Sequence, residues 1–158
     1  MNSRKFCFAL AVVLILGGFA ATVAESQMVK RYEKGEITFK QSGKSYQFKL
    51  EHGEIEPKDV LELLYRGKGE KKFDILSFKI VIKGFHGAGK YGKANIEELN
   101  LIMPQETSFF IEFESDCTIN ITRADAKGLE GTATCTKLSN GKGGTAPPLT
   151  DVKFTALP

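Results

Sequence analysis

The chain has 158 residues, 22 of them Lys or Arg and 19 Asp or Glu, for a formal charge of +3. Two of those basic residues, Arg4 and Lys5, lie in a segment expected to be removed, leaving 134 residues with 20 basic and 19 acidic groups. That is one domain's worth of chain, and its near-neutral charge argues against nucleic acid or an anionic lipid surface as a partner held by bulk electrostatics.

Residues 1–24 read as a helical, cleaved signal peptide. Arg4 and Lys5 form a basic start, Phe6–Ala21 is apolar, and Thr22-Val23-Ala24 presents the small residues a signal peptidase reads. The apolar run is about 16 residues, short of the roughly 20 that span a bilayer. No integral membrane segment is expected in the mature chain, and Cys7 leaves with the signal. The expected location is secreted or periplasmic. Export permits a disulfide and removes most access to ATP and nicotinamides, so no cofactor is expected.

Residues 25–34 are polar and unpatterned, a flexible N-terminus ahead of a single domain over 35–158. Ile37 and Phe39 share one face, Ser42-Gly43-Lys44 supplies a turn, and Tyr46, Phe48 and Leu50 resume the alternation of a first hairpin. Residues 57–66 admit two readings. Pro57 early, apolar positions 60, 61, 63 and 64, and Gly67 as a stop suit a helix. A strand turning at Gly67-Lys68-Gly69 into Phe73–Lys83 suits a hairpin, and the spacing favours the strand. Phe78, Ile80 and Ile82 then alternate with Lys79, Val81 and Lys83. Gly84–Gly92 is a glycine-rich loop, and Ile96, Leu99, Leu101 and Ile102 predict a strand ended by Pro104.

Phe109–Leu138 predicts the hairpin around which the domain is organised. Phe109, Ile111, Phe113, Ser115, Cys117, Ile119 and Ile121 form one face, with Glu112, Glu114, Asp116, Thr118, Asn120 and Thr122 on the other. A five-residue loop at 124–128 sets Cys117 opposite Cys135, Ile119 opposite Ala133 and Ile121 opposite Gly131. A structural Cys117–Cys135 disulfide follows, because directly opposed strand positions bring Cα atoms within bonding range. Ser139–Thr150, rich in Gly and Pro, reads as a flexible excursion, and Val152, Phe154 and Ala156 as a last strand. Seven to eight short strands predict an all-β fold, an antiparallel β-sandwich with a small β-barrel as the alternative.

The candidate sites are few. Gly84-x-x-x-x-Gly89-Lys90 follows a strand, as a phosphate-binding loop does, but Tyr91 stands where that loop needs Ser or Thr to hold Mg²⁺. The loop's own Phe85, His86 and Tyr91 are the candidate binding residues, as aromatics on a loop that presents them to a partner. Glu112, Glu114 and Asp116 lie about 6.8 Å apart on one strand face, where they converge poorly for a hydrolase pair or Ca²⁺. His52 and His86 give a weak case for a metal, so no metal and no catalytic residue is assigned. Asn120-Ile121-Thr122 is a glycosylation sequon on the wet face.

Phe78–Tyr91 (FKIVIKGFHGAGKY), followed by Cys117, Gly131 and Cys135, resembles a pattern in small exported bacterial proteins of unassigned function. In these a strand leads to a Gly-x-Gly-x-Tyr loop and then to a disulfide-closed hairpin. The resemblance implies a signal-bearing β-sandwich with no catalytic residues to carry over. The expected function is that of a non-enzymatic binding or surface module for an unknown protein, glycan or surface partner. A small apolar-ligand carrier and a carboxylate-dependent hydrolase are the alternatives.

Overall fold

A computed structural model of the chain describes residues 30–68, 75–103, 109–110, 116–140 and 144–158. Among these there is no helix. All thirteen strands belong to one antiparallel sheet.

The first strands form a meander. β1 (Lys30–Tyr32) and β2 (Lys34–Gln41) both pair with β3 (Lys44–Glu56), and in the same register, so they are two pieces of one column. β4 (Val60–Lys68) follows on β3, β5 (Ile75–Ile82) on β4, and β7 (Ile96–Ile102) on β5. Residues 57–66 are thus turn and strand, not helix: Lys58 and Asp59 take left-handed φ of 77° and 58°, and Leu61, Leu63 and Tyr65 alternate inward. β3 outruns the sequence expectation by continuing past Leu50, carried through a bulge between Leu50 and His52.

The remaining columns come from interrupted strands. β6 (Gly89–Tyr91) pairs with β9 (Cys117–Asp125), and β8 (Phe109–Phe110) pairs with β7. β10 (Gly128–Cys135) pairs with β9 and with β13 (Leu149–Leu157), while β11 (Leu138–Asn140) pairs with β8 and with β12 (Gly144–Ala146). β13 returns to β2. Grouped by register, the columns are β1/β2, β3, β4, β5, β6/β7, β8/β9, β10/β11 and β12/β13. The sheet therefore wraps nearly closed, as an eight-column up-and-down barrel. The small-barrel alternative is the one these registers describe.

Closure explains three differences from the sequence reading. Lys30–Tyr32, read as flexible, is a strand because the upper half of β3 needs a hydrogen-bonding neighbour, and Lys30 also reaches the Asp125 carbonyl. Ser139–Asn140 and Gly144–Ala146, read as a flexible excursion, continue the ladders of β10 and β13 despite few apolar residues. The β9–β10 loop is two residues, Ala126 and Lys127, not five. A bulge opposite Glu130–Gly131 adds the missing offset, so Ile121 still meets Gly131 and Cys117 still meets Cys135. The disulfide is present, between Cα atoms 4.1 Å apart, and is consistent with an oxidising compartment.

Side chains of alternate residues fill the barrel. Ile37, Phe39, Phe48, Leu61, Leu63, Tyr65, Phe78, Ile80, Leu99 and Phe154 are all buried within a single cluster. Phe39 packs edge-on against Phe48 and Phe78, with ring centroids 5.2 and 5.3 Å away. Two glycines make room for rings. A Cβ on Gly131 would lie 2.4 Å from the Phe154 ring, and one on Gly67 would lie 2.4 Å from the Phe48 ring. Across the interior, the Tyr65 hydroxyl on β4 donates to the Thr155 carbonyl on β13 at 3.1 Å.

Candidate functional site

The Gly84–Gly92 loop joins β5 to β7 at the end of the barrel that also holds the 57–59 turn and the two-residue β9–β10 loop. Gly84 and Gly87 have φ of 63° and 103°, which a glycine-rich sequence allows without strain. The Lys83 amide donates to the Asn95 carbonyl at 2.8 Å, and the Phe85 amide to the Asp59 carbonyl at 2.7 Å. Tyr91 locks the loop from within. Its hydroxyl donates to the Gly87 carbonyl at 2.7 Å and accepts from the His86 amide at 3.1 Å. No helix follows Lys90; it sits on β6, which runs along β9. The phosphate-loop spacing has the wrong surroundings for its chemistry.

Of the three aromatic candidates, the structure exposes one. Phe85 and Tyr91 are buried and stack at 5.7 Å, so they belong to the core at that end of the barrel. The alternation of β6 turns Tyr91 inward with Ile119, its partner on β9. His86 stays exposed, tilted against Tyr91 at 5.1 Å. As a surface built from three rings, the sequence expectation does not hold: burial takes two of them away.

The other candidates separate. His52 lies on β3, with Nε2 at 3.4 Å from the Glu54 carboxylate, which Arg31 also approaches at 3.7 Å. Among the described residues, no three His, Cys, Asp or Glu side chains come together as metal ligands. Glu112 and Glu114 lie outside the described residues. Asp116 is exposed, and its carbonyl accepts from the Thr136 amide at 3.0 Å, extending the hairpin ladder beyond the disulfide. Asn120 is part-exposed on the outer face of β9. Cys117 and Cys135 are buried and oxidised, so they are structural.

A surface that sequence reasoning did not single out lies on the outer face of β3, β2, β13, β10 and β9. Two adjoining depressions, of about 340 and 660 Å³, share Thr38 and Lys153. Register lines Gln47, Thr38, Lys153, Thr132 and Asn120 up in one row across the five strands. A parallel row runs Lys49, Glu36, Thr155, Glu130 and Arg123, and it satisfies itself. Lys49 and Gln47 reach the Glu36 carboxylate at 3.0 and 2.7 Å, and Arg123 meets Glu130 at 2.8 Å. The Lys49 and Gln47 hydrogen bonds hold the Glu36 carboxyl below the usual carboxylate range, that of Lys49 foremost. On the other flank, a bulge in β13 puts Asp151 at φ 53° and brings its carboxylate to the Lys40 ammonium at 2.8 Å. That hydrogen bond lowers the Asp151 pKa and raises that of Lys40. The signal for this surface was in the sequence as wet-face threonines; which strands stand side by side was not.

Comparison with family models, curated proteins and solved structures finds no match to this chain.

Proposed function

We propose that the chain is an exported, non-enzymatic β-barrel that binds a partner through its outer surface, in the manner of the small exported bacterial proteins its loop and hairpin resemble. One observation carries the reading. The described interior is filled by its own side chains, with Phe154 laid over Gly131 and Phe48 over Gly67, which leaves recognition to the outside. An eight-stranded barrel is just wide enough for either outcome, filled or hollow, and here the buried rings of Phe48 and Phe78 both pack on Phe39. The two histidines are engaged locally, His52 with Glu54 and His86 with Tyr91. The disulfide and the signal-like residues 1–24 support export.

Native mass spectrometry of the protein recovered from an exported fraction tests this. The expected species begins at Glu25, carries one disulfide and holds no small apolar molecule. A lipid bound at one per chain would overturn the reading in favour of a carrier.

A further inference from the structure

The row Gln47, Thr38, Lys153, Thr132 and Asn120 differs from the rows beside it. Its neighbours spend their polar groups on each other, through Glu36 with Lys49, Glu130 with Arg123 and Lys40 with Asp151. In the central row, the Thr38, Thr132 and Asn120 side chains and the Lys153 ammonium make no hydrogen bond to another side chain among the described residues. Hydroxyl, amide and ammonium groups together offer both donors and acceptors. The row crosses five strands, and four inter-strand spacings of ~4.8 Å give it a length of about 19 Å.

Charge narrows the occupant. The two depressions are lined by Glu36, Glu130 and Asp151 against Lys40 and Lys153, nearly balanced and mostly paired. A polyanion or polycation would meet like charge within the groove, whereas a neutral chain of hydroxyl groups would not. Bulges shape both ends, Asp151 in β13 and the offset opposite Glu130–Gly131 on β9, and bulges re-aim side chains where a sheet serves a site.

We infer that this groove binds a neutral oligosaccharide, lying across the strands from Gln47 towards Thr122. The inference rests on the reading of the chain as a binding module and adds its ligand class. Sugar hydroxyls pair with the Thr38, Thr132, Asn120 and Gln47 side chains, and Lys153 donates from the middle of the groove.

Isothermal titration of the mature protein with cello-, chito- and malto-hexaose, and with an acidic oligogalacturonate of equal length, tests it. Amide shift mapping by NMR accompanies each titration. The expected result is that one or more neutral hexamers bind, with shifts centred on Thr38, Thr132 and Lys153. Thr38→Val with Thr132→Val keeps the shape of both side chains and should weaken binding about tenfold, as loss of two neutral hydrogen bonds implies. Its thermal midpoint should stay near that of the parent. No binding of any neutral hexamer at millimolar concentration overturns the inference, as does binding of the acidic one alone. Shifts confined to Gly84–Gly92 overturn the groove while leaving a binding module. Release of reducing ends from a hexamer mapped to the groove supports the groove and sinks the non-enzymatic reading instead.

Discussion

Gly131→Ala is the substitution that most directly asks whether the barrel is filled. The new Cβ would lie 2.4 Å from Phe154 Cζ, 2.9 Å from Cε2 and 3.0 Å from the Asn120 carbonyl oxygen. Gly131 has no positive φ, so the backbone accepts alanine and the cost is steric. Phe154 is 2% exposed and lies opposite Ile37 on β2 and Gly131 on β10, so its ring can retreat only by displacing core neighbours. Overpacking of this kind costs about 1–3 kcal/mol, and the chain-entropy gain of Gly→Ala offsets up to ~1 kcal/mol of it. A net loss of about 1–2 kcal/mol should lower the thermal midpoint by roughly 3–8 °C for a domain of this size. Urea unfolding followed by far-UV circular dichroism measures it. Phe154→Leu in the same chain should recover at least ~1 kcal/mol relative to additivity, because the two sites touch. A loss below ~0.5 kcal/mol with no coupling would mean that the ring swings into empty volume. The filled interior would then be wrong, and the carrier alternative would gain.

Reduction of Cys117–Cys135 should cost on the order of 3 kcal/mol from loop closure, less if the unfolded chain keeps the short turn. Thiol titration of the native protein should find no free cysteine in the mature chain, and two reactive thiols would refute the staple. Tyr65→Phe removes the hydroxyl bonded to the Thr155 carbonyl across the barrel, for an expected loss of about 1 kcal/mol by urea titration. No measurable change would mean that the bond is not a tie between β4 and β13. For pH, Glu36 and Asp151 are both held below their ordinary values in the folded chain. Their stabilisation is therefore fully present above the unfolded carboxylate range near pH 4 and is lost as pH falls through the lowered values. Lys49→Met and Lys40→Met should flatten that acid limb, and an unchanged acid profile in the double variant would count against these pairs.

The strands were legible wherever alternation was strong. Phe78, Ile80 and Ile82, or Ile119 and Ile121, announce a buried face because a strand turns every second side chain the same way. The disulfide was legible for the same reason, since a register that opposes Ile119 to Ala133 also opposes the cysteines. What alternation does not carry is adjacency between distant strands. Nothing local to Val152–Ala156 says that β13 lies beside β2, so the row from Gln47 to Asn120 was invisible as a row. Nor does a glycine-rich loop announce which of its aromatics turn inward. Tyr91 looked like a displayed ring and is the post on which Gly87 and the His86 amide hang. Lys30–Tyr32 and Gly144–Ala146 were missed because their pairing follows from neighbouring ladders that need partners, not from their own composition.

The pairing of Lys34 with Leu157 has a consequence for how the molecule can be rewired. The first and last columns are neighbours in a ring, so the ring has no privileged starting point. A short linker from Pro158 to Lys30, with new ends opened between Ala126 and Lys127, would restring the same eight columns in a different order. Every ladder would survive, and only the sequence separation across each would change. Such a permutant would leave Cys117 and Cys135 on opposite sides of the cut. The bridge, which now closes a local loop, would then join the two ends of the chain.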